Sequence, residues 1–333
     1  MTNLTVVGAT TWGTTLAIIS AREGSETKIL VRSQKEATYL NSQRENTRFL
    51  PGVKIPETAI ATESLDNAFD KSEVILFAVP SHSLRQNAKT VANKIDPEAI
   101  VVSAVKGLEV GSGKRMSEIL AEELPNTDKR NICALSGPNL AMEIVKGKPS
   151  STVIASSNIE VCTKAQKLLN SKQLRIYTND DIIGVEIGGA LKNITAIAVG
   201  ISDGLQFGDN AKAAIITRGL AEIARLGESL GAKKSTFSGL AGMGDLIATC
   251  SSSLSRNNQV GRMLATGQSI QDIHKTMKNV AEGVKTTEAA ISISRATGIS
   301  MPIASSVYDV LFNGIEPTHA VSSLMERAPT SEN

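Results

Sequence analysis

Lys192 stands near the middle of "GVEIGGALKNITAIAVGISDG", residues 184–204, a largely apolar run in which a basic side chain needs a reason. Ile187, Leu191, Ile194, Ala198 and Ile201 recur at spacings of four and three, the stripe of a core-facing helix. Lys192 lies off that stripe. Its neighbours one turn away are Gly188, Gly189, Thr195 and Ala196, a face of small residues that reads as the wall of a pocket. From the helix alone two readings stay open. The lysine lies along apolar surface and carries its ammonium to water, or it is desolvated and its pKa falls until it exchanges a proton near neutral pH. A second stretch, "LTVVGATTWGTTLA", puts Gly8 directly after a strand and Gly13 at a helix start. Backbone N–H groups and a helix N-terminus hold a pyrophosphate at that place in a βαβ unit, with Thr11 and Trp12 between the glycines as further contacts. Trp12 either covers the cofactor or fills the core beside the turn, the commoner use of a lone tryptophan. Thr10 replaces the middle glycine of G-x-G-x-x-G, and its Cβ is expected to crowd a pyrophosphate unless the loop shifts. After the second strand, "LVRSQK" offers Arg32 and Ser33 where an acidic residue commonly meets the adenosine ribose. Arginine suits a 2′-phosphate, so NADP(H) is expected, with NAD(H) kept open; the alternative is a solvated strand-end charge.

The elements that must carry these groups alternate through the first half. "LTVVG", "TKILVR", "EVILFAVP", "AIVVSAVKG" and "NICALSGPN" are separated by helical runs, and "SSTVIAS" and "QLRIYTN" flank another at Ile159 to Leu169. That pattern predicts an α/β fold, a Rossmann-like, doubly wound parallel sheet over residues 1–180. The strand signal then stops, and an all-helical domain is expected over 181–333. Two domains suit a chain of 333 residues. An apolar share of 41% with 20% charged residues describes an ordinary soluble globular protein. Lys+Arg (35) and Asp+Glu (33) nearly cancel, so the net charge of +2 gives no reason to expect nucleic acid or a membrane surface as partner. Cys133, Cys162 and Cys250 form no CxxC pair and the three histidines are scattered, so neither a disulfide framework nor a metal site is expected. The N-terminal residues enter a strand pattern at once, leaving no room for a signal segment, and no membrane-length uncharged run occurs; the cytoplasm is the expected compartment.

Several stretches together resemble NAD(P)-dependent glycerol-3-phosphate dehydrogenase of the bacterial type: "GATTWGTTLA", "FAVPSHSLR", "SAVKGLE", "LSGPNLAMEI", "EIGGALKNITAIAVGISDGL", "GDNAKAAIITRGLAEIARLG", "FSGLAGMGDLIATCSSSLSRNNQVG" and "AEGVKT". The likeness runs nearly end to end. It implies hydride transfer between the nicotinamide and C2 of dihydroxyacetone phosphate, forming sn-glycerol 3-phosphate for phospholipid synthesis. Lys192 resembles the family's proton donor and acceptor. Lys106, at a strand end where open α/β sheets bind ligands, is implied to touch substrate and cofactor. A second lysine nearby would depress the pKa of Lys192, whereas Asp245 would hold it charged. Thr249 and Asn193 are implied as polar groups that orient the substrate oxygen. Ser255, Arg256 and Asn257 precede a helical run and could donate to a dianion, with an N-cap and a surface arginine as the alternative. Gly137 lets backbone approach a ligand, and Asn139 stands where the family more often has Ser or Thr, with an amide still able to donate. Ala141, Val280 and Glu282, and Arg256 again, carry over as cofactor contacts. A homodimer is the expected assembly. Two other readings are kept: a related two-domain NAD(P)-dependent hydroxy-acid dehydrogenase, and a non-catalytic NAD(P)-binding sensor that kept the fold.

Overall fold

The computed structural model describes residues 2–277 and 281–328. The chain divides into two compact units, Met1–Lys106 with Lys114–Glu186, and Gly107–Gly113 with Ile187–Asn333. In the first, β1 (Asn3–Val7), α1 (Thr11–Arg22), β2 (Glu26–Leu30) and α2 (Gln34–Gln43) lead to a small hairpin of β3 (Glu45–Asn46) and β4 (Leu50–Lys54). There follow β5 (Ala59–Thr62), α3 (Leu65–Phe69), β6 (Val74–Phe77), α4 (Leu84–Val91), β7 (Ile100–Ser103), α5 (Met116–Glu123) and β8 (Ile132–Ser136). The unit closes with α6 (Ala141–Val145), β9 (Ser150–Ala155), α7 (Ile159–Leu169) and β10 (Leu174–Asn179).

Eight strands form one sheet in the order β10-β9-β8-β7-β6-β1-β2-β5. Successive strand residues feed opposite faces, which is why these strands read as continuous apolar runs. Leu4, Val6, Ile29, Leu76 and Val102 pack with α1, α2, α6 and α7, while Val7, Leu30, Phe77 and Val101 pack with α3, α4 and α5. The sheet departs from the all-parallel expectation at one ladder: β8 and β9 are antiparallel. Between them the chain makes only the five-residue α6 and returns at the edge it left. Strand β5 and the β3–β4 hairpin were not in the sequence expectation. β5 is a short edge strand whose residues alternate between buried and exposed, and two of the four are alanine, so its apolar signal is weak.

The second unit is helical: the remainder of α8 (Ile182–Gly204), then α9 (Gly208–Ser229), α10 (Lys234–Phe237), α11 (Asp245–Ser251), α12 (Arg256–Ala265), α13 (Ile270–Thr276), α14 (Glu282–Thr297), α15 (Pro302–Phe312) and α16 (Pro317–Met325). Among the described residues α8 alone has the length and apolarity to cross a membrane, but 83% of that stretch is buried within the protein. It is a central core helix, covered on more than the one stripe its periodicity suggests: Ala190, Ala196, Ile197 and Val199 are as buried as Ile187 and Leu191.

Two buried glutamates serve as helix caps supplied from elsewhere in the chain. Glu186 accepts from Ser117 N (2.8 Å), Ser117 Oγ (2.6 Å) and Arg115 Nη1 (2.6 Å) at the start of α5. Glu222, on α9, accepts from Ile303 N (2.7 Å) and Ala304 N (3.2 Å), first-turn donors of α15 that have no side-chain cap of their own. Burial pushes the Glu222 carboxyl up to about 7, against the two backbone N–H groups that favour its ionised form. A carboxyl whose pKa is raised by folding binds its proton more tightly in the native state. Stability is therefore lost as pH rises from the ordinary carboxylate range through about 7. The Glu222→Gln variant, neutral at every pH, is expected to match the parent at pH 4 and to exceed it by about 3 kcal/mol at pH 8. Urea melts at the two pH values check this, and parallel stability profiles for the two proteins would contradict it.

Candidate active site

In the helical unit Lys192 is buried, and its Nζ donates to Asp245 Oδ1 (2.7 Å) and Thr249 Oγ1 (2.5 Å). Thr249 Oγ1 in turn donates to Asp245 Oδ1 (3.2 Å), which leaves it free to accept from the ammonium. Asp245 and Thr249 sit one turn apart on α11, and a π-helical turn at Leu240–Gly244 brings α11 onto α8. The small face around Lys192 makes this possible: a Cβ on Gly188 would stand 2.7 Å from Ala241 O. Thr195, on the same face, is met by Gly219 of α9, where a Cβ would lie 2.6 Å from Thr195 Oγ1. The expected pocket wall is thus corrected at these positions. The close approach is made by the protein's own backbone, and its product is a carboxylate in reach of the lysine.

Ser255 is the N-cap of α12, its Oγ accepting from Asn258 N (3.3 Å), and its own hydroxyl hydrogen is still to be placed. Arg256, the first residue of α12, is exposed and makes no hydrogen bond or ion pair among the described residues. Asn257 is the second residue of α12. It is buried, Nδ2 donating to Asn193 Oδ1 (2.9 Å) and Oδ1 accepting from Gly283 N (3.0 Å). Glu282 opens α14, whereas Val280 lies outside the described residues.

In the sheet unit the glycine turn follows β1. Gly8 has φ +107°, a conformation that suits glycine, and a Cβ on Gly13 would lie 2.0 Å from Gly8 O. Thr10 takes φ −74° and ψ 175°, open to any residue, as the N-cap of α1. Its hydroxyl turns inward, donating to Ala78 O (2.6 Å) and accepting from Gly13 N (3.1 Å). The threonine therefore takes up one helix N–H as a cap, and those of Thr11 and Trp12 are left at the helix start. The Thr11 hydroxyl donates to Phe49 O (2.9 Å), and Trp12 is partly buried against the core of this unit. Arg32 follows β2 as an exposed side chain with no ion pair among the described residues, and its backbone N–H donates to Glu36 Oε2 (3.3 Å). Ser33 caps α2 by accepting from Glu36 N (3.3 Å). Two uncommitted N–H groups at a helix start and an unpaired guanidinium past β2 fit the pyrophosphate and 2′-phosphate of a dinucleotide.

Lys106 lies beyond β7 and donates to Gly137 O (2.9 Å). Gly137 has φ +156°, and the neighbour it admits is Thr152 of β9, whose Cα would be 2.9 Å from an added Cβ. Asn139 also faces Thr152, which takes one of its two amide hydrogens. Thr152 Oγ1 donates to Ser136 O (3.0 Å), so it must accept from Asn139 Nδ2 (3.0 Å), and Asn139 Oδ1 is buried without a partner. Ala141 opens the short α6. Thr152 was missed in the sequence; it sits mid-strand in "SSTVIAS", where nothing in the pattern separates it from a core threonine. A concavity of about 620 Å³ near Asn3, Lys28, Thr62, Asn67 and Lys71 includes none of these residues.

Fold and site together have the make-up of a nicotinamide-dependent dehydrogenase, an NAD(P)-dependent oxidoreductase. Comparison with known proteins narrows the class. Residues 3–162 match the model of the NAD-dependent glycerol-3-phosphate dehydrogenase N-terminus, and residues 181–322 match that of its C-terminus. A glycerol-3-phosphate dehydrogenase [NAD(P)+] of Dehalococcoides mccartyi is 48% identical over 326 residues, 98% of this chain and 91% of the relative. One from Geobacillus thermodenitrificans is 44% identical over 333 residues, 100% of this chain and 97% of the relative. The crystal structure of glycerol-3-phosphate dehydrogenase from Coxiella burnetii superposes with a TM-score of 0.92 at 35% identity, covering 98% of this chain and 99% of that one. The chain belongs to the NAD-dependent glycerol-3-phosphate dehydrogenase family.

Proposed function

We propose that this chain interconverts dihydroxyacetone phosphate and sn-glycerol 3-phosphate, with Lys192 exchanging the proton and NADP(H) preferred over NAD(H). The observation that carries the reading is the hydrogen count on Lys192. An ammonium has three N–H donors; two are fixed on Asp245 and Thr249, and the third has no partner among the described residues. Bound NAD(P)H supplies the hydride. As the ketone carbon receives it, the carbonyl oxygen gains charge and takes the third Lys192 proton, giving the alcohol and a neutral amine that water reprotonates. Asp245 and Thr249 aim the ammonium and fix its rotation. In the reverse direction the neutral amine accepts the hydroxyl proton.

Arg256 and the Ser255 hydroxyl, at the start of α12, hold the substrate phosphate. Lys106, Gly137 and Asn139 carry the remaining substrate contacts, and Gly8, Thr11, Trp12, Gly13, Arg32, Ser33, Ala141, Val280 and Glu282 those to the cofactor. The product feeds phospholipid synthesis, and the enzyme works as a cytoplasmic homodimer. The phosphate assignment predicts that dihydroxyacetone, lacking that group, is turned over far less efficiently than its phosphate; equal kcat/KM values would refute it. Arg32→Ala is expected to lower the ratio of kcat/KM with NADPH to that with NADH by about 10- to 100-fold. An unchanged ratio would remove Arg32 from recognition of the 2′-phosphate.

A further inference from the structure

Two of the three cysteines meet inside the sheet unit. Cys133 stands on β8 and Cys162 on α7, and both side chains are fully buried. The strand register brings them together. Leu135 lies opposite Ile154 in the antiparallel β8–β9 ladder, so Cys133, two residues back, shares the face of Leu135, and α7 covers that face with Ala165 and Leu169. Cys162 Sγ rests on the same stretch of backbone, within reach of Ile154 O (3.8 Å) and Asn179 O (3.6 Å), either of which takes its thiol hydrogen. The two thiols also share a hydrogen bond, with the Cys133 S–H directed at Cys162 Sγ. That bond lowers the pKa of the Cys162 thiol and, together with burial, raises that of Cys133. One sulfur ionises first and the other keeps its hydrogen.

We infer that Cys133 and Cys162 form a redox modification site, a dithiol that a peroxide closes to a disulfide between β8 and α7. In the first step the Cys162 sulfur attacks a peroxide oxygen. The O–O bond breaks, Cys162 becomes a sulfenic acid, and the second oxygen leaves as water with the Cys162 thiol proton. The Cys133 sulfur then attacks the Cys162 sulfur, the S–O bond breaks, and hydroxide leaves as water with the Cys133 proton. The sulfurs give up two electrons and both S–H hydrogens, and the peroxide is reduced to two waters. Burial selects the product: a sulfenic acid formed against Cys133 meets a thiol before it meets more peroxide, so oxidation stops at the disulfide. Access comes from local opening of α7, which packs at the end of the sheet against β9 and the edge strand β10. The bridge closes the loop 133–162, which carries Gly137, Asn139 and Ala141, and a loop of that length makes the oxidised form the more stable one. Cys250 is the internal control. It lies in the helical unit with no other cysteine, and burial pushes its thiol up to about 12.

The test exposes the intact protein to hydrogen peroxide, quenches it, unfolds it in urea with iodoacetamide and maps the peptides by mass spectrometry. All three cysteines are expected to be alkylated before oxidation and Cys250 alone after it, with the Cys133 and Cys162 peptides joined and the mass lower by two hydrogens; dithiothreitol restores all three. The oxidised protein is expected to melt about 5–10 °C higher. In Cys162→Ala, Cys133 is expected to remain a thiol under the same treatment. Three alkylated cysteines after peroxide, oxygen adducts in place of the cross-link, or a bridge that includes Cys250 would overturn the inference, and each is read on the parent protein whatever the folding of the variant. Oxidation of Cys133 in Cys162→Ala at the parent's rate would overturn it too, and a cross-linked protein that melts no higher than the reduced one would overturn the stabilising role. None of these readouts uses turnover, so failure here and failure of the dehydrogenase reading are separate results.

Discussion

Replacing Lys192 by alanine is expected to lower kcat by about 1,000-fold while leaving cofactor affinity near that of the parent. Two effects contribute, and a second variant separates them. The lysine is the proposed proton donor, and it is also the partner of Asp245, a carboxylate only 2% exposed. Removing the ammonium takes the lysine's positive charge away from that buried carboxylate, at a cost of about 3–5 kcal/mol of stability. The double variant Lys192→Ala with Asp245→Asn removes both charges and is expected to recover much of that stability. It recovers none of the activity if the lysine carries the proton. A double variant that regained both would show that Lys192 holds the fold together and takes no part in the chemistry.

Arg256→Ala is expected to raise KM for dihydroxyacetone phosphate by about 100-fold, the worth of a charge-assisted, forked contact to a dianion. Its effect on stability should stay within about 0.5 kcal/mol, because the side chain is exposed and pairs with nothing among the described residues. The contrast with Lys192 is the point of making both variants: one residue is set in the core and fails in kcat, the other stands at a helix start and fails in KM. Unchanged KM in the Arg256 variant, with the parent active, would refute the phosphate assignment.

The sheet was legible because both of its faces are covered. Strands such as Val74–Phe77 are buried at every position and read as unbroken apolar runs between helical ones. The β5 edge strand was not legible, since it relies on pairing with β2 more than on its own apolar pattern, and neither was the β3–β4 hairpin, whose first strand is only two residues long. The site divides in the same way. Helical spacing shows that Gly188 and Thr195 share the face of Lys192, but spacing cannot show what covers that face, which is backbone of the 240–244 turn and of α9. Likewise "SRNN" marks a helix start with three groups able to donate. Which of them points outward depends on α8 and α14, and Asn257 turns in toward both. Thr10 illustrates the converse. Its missing-glycine signal was plain in the sequence, yet the outcome depended on Ala78 O, a partner 68 residues away.

Reduction of a phosphorylated ketone by a nicotinamide cofactor is followed as loss of the reduced-nicotinamide absorbance on adding dihydroxyacetone phosphate to the intact protein, with NADPH and NADH in parallel. Cofactor oxidation is expected to require the phosphorylated ketone, to yield sn-glycerol 3-phosphate, and to be more efficient with NADPH. Binding of both cofactors with no oxidation of either by dihydroxyacetone phosphate would contradict it.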